Sequence, residues 1–438
     1  MVKMKDSGIE WIGEIPEDWK LTKLKYICSN ITDGSHFSPE TKTEGKPYVT
    51  VSNVNNDFID FKNAPKISEY DFKILEKNGC KPKTGDVLLA KDGTVGRTAI
   101  VKENDFVILS SLAILTPNNQ ITSAFLKYSL DGDYLQKQMQ LSMAGSALRR
   151  ITISKINKYS TILPPLETQK RIVKFLDKKC TKINALNEDI QKQIETLEQY
   201  KKSVITEAVT KGINSDTKMK DSGIKWIGEI PEHWEVKPLG NILIERIEKN
   251  YPVKTDVILS LSIDIGITLY SEKTTNLDRF KDDITGYKLA HEGDLVLNSM
   301  NVISGAEGIS AYYGCVSPVY YVLYDNEKDN HYCARFYDYH FKTLTLRKYL
   351  FSIGKGILAI DRGEGRVNTC RLKVSNYDLK HMHFPVPPKN EMEAIVKYLD
   401  AKCSKIDSII ASKKQQLETL EEYKKSLIFE YVTGKKEV

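Results

Sequence analysis

The sequence has no apolar run approaching the ~18 uninterrupted residues of a membrane-spanning helix, and its first stretch, Met1 to Trp19, lacks the apolar centre of a secretory signal. The expectation is a cytoplasmic chain with no membrane partner. Its seven cysteines (Cys28, Cys80, Cys180, Cys315, Cys333, Cys370 and Cys403) are scattered, with no C-x-x-C pair to suggest zinc or a redox dithiol, so reduced thiols and no metal site are expected. Charge of one sign is also scarce. A formal net charge of +6 over 438 residues permits an acidic partner such as nucleic acid without indicating one.

Catalytic signatures are missing as well. No G-x-x-x-x-G-K-[ST] loop, no G-x-G-x-x-G after a strand, no H-E-x-x-H and no G-x-S-x-G occurs. Neither Leu163-Pro164-Pro165 nor Val386-Pro387-Pro388 carries the Asn or Asp and the following aromatic of a DNA amino-methyltransferase catalytic loop. Both pairs suit a stop between a strand and a helix. His381-Met382-His383 has the spacing to present two imidazoles on one strand face, but no third ligand lies nearby in sequence.

What is present is a folded composition, 41% hydrophobic and 28% charged, in a chain long enough for two to four domains at ~150 residues each. It is also duplicated. MKDSGIEWIGEIPEDW at 4–19 returns as MKDSGIKWIGEIPEHW at 219–234, differing only at Glu10/Lys225 and Asp18/His233. Each copy is followed by a second matched block, PPLETQKRIVKFLDKKCTKI from Pro164 and PPKNEMEAIVKYLDAKCSKI from Pro387, and then by IETLEQYKKSVI from Ile194 and LETLEEYKKSLI from Leu417. The stretches between, 20–163 and 235–386, do not resemble each other, yet both run from short β-rich segments (KPYVTVSNV, GDVLLAK, RTAIV and FVILSSLAIL in the first; DVILSLSIDIG, GDLVLNS and SPVYYVLYD in the second) to a helical pattern. The helical patterns are AFLKYSLDGDYLQKQMQL, 124–141, and CARFYDYHFKTLTLRKYLFSI, 333–353.

The repeated stretches 167–211 and 390–434 contain no Pro and no internal Gly and repeat apolar residues every seven. One line is Leu176, Ile183, Ile190, Leu197 and Val204. The other is Leu399, Ile406, Lys413, Leu420 and Leu427, supported by Cys403, Ile410 and Leu417. Such helices would each be roughly 67 Å long, with one apolar seam that requires a partner. The nearest partner is the other copy, packed antiparallel as a coiled-coil spacer. The expected architecture is α+β: two pseudo-symmetric α/β domains separated by two long antiparallel helices, divided as 1–163, 164–212, 213–386 and 387–438.

Local charge is more informative than the total. Residues 145–163 hold Arg149, Arg150, Lys155 and Lys158 with no acid, and 347–373 hold Arg347, Lys348, Lys355, Arg362, Arg366, Arg371 and Lys373 against Asp361 and Glu364. A charge run is usually a solvated face, but two at equivalent places suit DNA reading, where glycines let the backbone approach phosphate and Arg grips guanine with two bonds. The turn Asp33-Gly34-Ser35-His36 and the loop Lys91 to Arg97 are further candidates, each of which also reads as a plain hairpin turn.

On the doubled G-E-I-P-E-x-W motif (Gly13 to Trp19 and Gly228 to Trp234), the Pro-Pro turns at 164 and 387, the helix ends EAVTKG (207–212) and EYVTGK (430–435), and D-G-S-H at 33–36, nearly the whole chain resembles the specificity subunit of a type I restriction-modification system. The resemblance implies two target-recognition domains, each reading half of a split DNA sequence. It implies conserved helices that fix the gap and bind methyltransferase subunits and, through them, the restriction and translocase subunit. It further implies no catalysis by this chain and no cofactor bound by it, with S-adenosylmethionine, ATP and Mg on the partners. The second domain has no D-G-x-H turn, so its reading loop does not carry over from the first. A protein-binding coiled-coil scaffold and a stand-alone DNA-modifying enzyme are the alternatives.

Overall fold

The computed structural model describes residues 3–55, 57–143, 150–263, 265–273, 283–325, 332–357 and 371–438. The chain forms two compact units, Met1–Gln191 with Lys414–Val438, and Lys192–Lys413.

In the first unit, strands β1 (Cys28–Asp33), β2 (Val87–Ala90), β3 (Thr98–Ile100) and β4 (Leu112–Pro117) make an antiparallel sheet in the order β3-β2-β4-β1. Side chains alternate across a strand, so Val87 and Leu89 join one core while Leu88 and Ala90 join another with Val49, Phe106 and Ile108. Burial on both faces explains the unbroken apolar run. Helices α1 (Ser123–Asp131) and α2 (Asp133–Met143) cover the first face. They replace the single helix that 124–141 suggested. Gly132 takes extended backbone (φ −66°, ψ 138°) between them, ending one helix and starting the next.

The long helices are α3 (Leu166–Lys211) and α6 (Lys389–Val432), and each runs from one unit into the other. Between them in sequence, the second unit forms β5 (Leu243–Glu245), β6 (Leu295–Asn298), β7 (Glu307–Ile309) and β8 (Tyr320–Asp325), antiparallel in the order β7-β6-β8-β5. Strand for strand this is the order of the first unit, although the two sequences have diverged. Its helical run 333–353 is again two helices, α4 (Tyr332–Phe341) and α5 (Leu344–Ile353), because the Thr343 hydroxyl accepts from Leu346 N and starts the second. The short hairpin β9 (Lys355–Ile357) and β10 (Arg371–Lys373) follows.

The long helices pair antiparallel within each unit. Asn184 bonds Lys424 and Asn187 bonds Glu421 in the first; Lys201 bonds Asp407 and Gln193 bonds Lys413 in the second, so numbers rise on one helix as they fall on the other. The seam is not buried by this pairing alone. Leu176, Ile183 and Leu427 share a core with Val87 and Leu115, and Val204 and Leu399 share one with Leu295 and Leu323, whereas Ile190, Leu197 and Leu420 are only half-buried. Ile406, Ile410 and Ile194 are buried without belonging to either domain core, so the pairing buries part of the seam and the domains bury more of it where they add a third neighbour.

The G-E-I-P-E-x-W motif has the same structural task twice. Trp19 and Pro16 lie against Gly434 just past α6, and Trp234 and Pro231 lie against Gly212 just past α3. Both glycines are left-handed (φ +71° and +79°), and a Cβ on Gly434 would fall 2.5 Å from Pro16. A helix end that demands one shape accounts for two near-identical copies of the segment that seats on it.

Candidate nucleic-acid interface

In the first unit, three segments far apart in sequence are joined by charge. Gly34 is obligatory, since a Cβ there would sit 2.2 Å from the Ile108 carbonyl oxygen. That close approach lets Ser35 N donate to Ile108 O and Ser110 N to Ser35 O, both at 2.9 Å. The Ser35 hydroxyl accepts from Phe37 N at 3.0 Å and donates to Phe37 O at 2.6 Å. Lys91, 2% exposed, places its ammonium 3.4 Å from Asp33 and 3.6 Å from Asp92. Asp92 in turn lies 3.1 Å from Arg150 Nε, and Ile151 N donates to Lys91 O.

Ser35 and Lys91 therefore have internal partners, and their polar groups support the turn from within instead of facing outward as the sequence suggested. The side chains they hold in place are outside: His36, 68% exposed and 3.4 Å from Asp33, the exposed ring of Phe37, and half-exposed Arg150. Lys155 is exposed and donates to Ser142 O near the end of α2 at 2.6 Å. Arg97 is half-buried and lines a cleft with Asp57, Lys127 and Lys424, apart from that chain of ion pairs. Arg149 lies outside the described residues.

In the second unit, Lys355 is 80% exposed, 3.6 Å from Asp378, and Arg371 pairs through its backbone with Ile357. Arg362 and Arg366 lie outside the described residues.

Each domain is tied to its helix by the same bond. Tyr128 donates to Asp177 at 2.7 Å, and Tyr339 donates to Asp400 at 2.5 Å, with Asp177 and Asp400 at matching places in the repeated helices. Burial, reinforced by the carboxylate each hydroxyl faces, pushes both phenols above their ordinary range. One residue before each tyrosine the charges are exchanged. Lys127 pairs with Asp131 at 3.0 Å in the first unit, and Asp338 pairs with Lys342 at 2.6 Å in the second. The tyrosine-aspartate bonds escaped the sequence reading, and the signal for them was an aspartate repeated one residue after the matching seam leucines, Leu176 and Leu399.

Glu307, 1% exposed, accepts from Arg347 at 2.9 Å. Burial pushes its carboxyl up to about 7, with Arg347 opposing the rise. The folded state thus holds a proton between the ordinary value of 4.5 and about 7 that the unfolded chain has released. Stability from this group is complete below pH 4.5 and is lost as pH rises through 7. Glu307→Gln should remove the dependence, so the variant gains relative to the parent by up to about 3 kcal/mol between pH 5 and pH 8. Denaturant unfolding at the two pH values checks this; a difference that does not change with pH would refute it.

Among the described residues no group of three or more His, Cys, Asp or Glu is arranged to hold a metal, and no helix is long and apolar enough to cross a membrane. His381 Nδ1 donates to Tyr377 O at 2.8 Å.

Residues 16–196 match the family model for the type I restriction modification DNA specificity domain. A Methanocaldococcus jannaschii protein assigned provisionally as the MjaX specificity subunit of a type I restriction enzyme is 27% identical, over 97% of this chain and 95% of that protein. The MjaVIII specificity subunit of the same organism is 24% identical, over 96% of this chain and 93% of that one. Among solved structures, a chain from a type I R-M system studied for its complex assembly and conformational transition aligns with a TM-score of 0.65 at 14% identity, covering 96% of this chain and 99% of that chain.

Proposed function

The chain belongs to the family of type I restriction-modification DNA specificity subunits, and from that premise we propose that each α/β domain reads one half of a split duplex target while the paired helices hold the methyltransferase subunits. The carrying observation is a single frame used twice under two different readers. The same sheet order, the same tyrosine-aspartate tie and the same seated tryptophan recur beneath sequences that have diverged. A modular reader needs that division, because base contacts must differ while partner surfaces stay fixed.

In the first domain His36 and Arg150 would reach base edges or phosphates, with Ser35 and Lys91 positioning them and Lys155 and Arg149 adding positive charge. In the second, Lys355, Arg362, Arg366 and Arg371 take the equivalent part. Partner docking falls to apolar side chains left exposed on the helices: Leu186 and Tyr423 in the first unit, and Tyr200 and Ile409 in the second. These are matching positions of the two repeats, and in each unit the pair sits at one level of the antiparallel register. Two equivalent sites suit two copies of one methyltransferase subunit, which would carry the restriction and translocase subunit.

Under this reading the chain works in the cytoplasm, is not itself catalytic, and leaves S-adenosylmethionine, ATP and Mg to its partners. The test is duplex binding by the chain with its methyltransferase subunits, on DNA carrying the target found by methylome mapping. Log affinity should fall linearly with log salt, by ~0.9 per phosphate neutralised. No binding at low salt, by the chain or by the complex, would end the reading.

A further inference from the structure

The second domain has no D-G-x-H turn, and after α5 it carries a short hairpin with an unusual rung. In β9 and β10 the antiparallel register sets Lys355 directly opposite Lys373, with Gly356 opposite Leu372. Directly paired residues lie on one face of a hairpin with Cβ atoms ~5 Å apart, and two like charges so placed repel. Lys373 has little freedom to escape. Leu372 and Val374 on either side of it are buried, and Val374 N donates to Ser299 O at 3.1 Å. Among the described residues the carboxylate paired with the rung is Asp378, 3.6 Å from Lys355 and already accepting the Ser375 hydroxyl at 2.6 Å. Lys348, seven residues before Lys355, is a further exposed lysine on α5.

We propose that the Lys355–Lys373 rung is an anion clamp that grips a backbone phosphate of the duplex beside the second half-site. An anion between the two ammonium groups turns their repulsion into two attractions, whereas a carboxylate in place of Lys373 would relieve the same repulsion and abolish the clamp. The lysines supply point charges and no paired donor fork, so the contact positions the DNA without reading sequence. This inference rests on the proposed function.

The experiment uses the full chain with its methyltransferase subunits, on duplexes with and without the mapped target. Lys355→Ala combined with Lys373→Ala should lower the slope of log affinity against log salt by ~0.9, the value for one phosphate, weaken binding on every duplex alike, and leave the methylated motif unchanged. Lys373→Glu should weaken DNA binding while leaving thermal stability equal or higher, because the rung becomes an ion pair.

An unchanged salt slope in the double variant, beside a parent complex that binds, overturns the clamp and leaves the proposed function standing. A changed motif would make the rung a base reader, also against the proposal. Stability lost together with binding in Lys373→Glu would mark a structural role. A parent complex that binds no duplex overturns the clamp together with the reading beneath it.

Discussion

On the docking proposed above, Leu186→Asp combined with Tyr423→Asp is expected to strip one methyltransferase subunit from the complex while the other stays bound. Both side chains are large, apolar and exposed on helices whose remaining outward positions are mostly charged or polar. An apolar anchor at the centre of an interface contributes ~2 kcal/mol or more, at least ~30-fold in affinity, and a carboxylate buried in its place adds a desolvation cost. Neither residue belongs to a core cluster, so the melting temperature of the free chain should not move. Tyr200→Asp with Ile409→Asp should do the same to the second site. Native mass spectrometry of the assembled complex counts the subunits, and a full complement with all four positions changed would place docking elsewhere.

The frame was legible in the sequence because it is periodic and doubled. A seven-residue repeat needs only local chemistry to specify a helix, and Leu166–Lys211 and Lys389–Val432 fall within two residues of the stretches it marked. Breaks inside helical patterns were less legible. The pattern 124–141 keeps its period through Gly132, and only the extended backbone there divides it. The candidate interface was legible as parts and illegible as a whole. Asp33, Lys91 and Arg150 were each marked in separate segments, but their joining depends on strand register and on the close approach at Gly34, which no local pattern encodes. For the same reason Lys91 looked like a surface cation: a lysine in a Gly-rich loop is ordinarily exposed, and burial requires two carboxylates that folding brings from other places.

Lengthening both long helices should lengthen the gap between the two half-sites. The helix α3 bonds Tyr128 through Asp177 in the first unit and Asp407 through Lys201 in the second, without a break in its hydrogen-bonded rise. Adding residues to α3 alone would leave α6 one segment short and break their pairing, so the insertion must be made in both, after Gln191 and after Lys413, where the units meet in sequence. Seven residues is the right length. It adds ~10.5 Å, about three base pairs at ~3.4 Å each, and returns the apolar seam to within ~20° of its original facing. Four residues would turn the seam by ~40° and expose Leu197 and Leu420, which are already only half-buried, so that variant should lose stability instead of moving the gap. Methylome mapping of cells carrying the seven-residue pair should find unchanged half-site bases with about three more bases between them. Intact activity at the original gap would show that spacing is set by something other than helix length, and altered half-site bases would show that the helices take part in the reading itself.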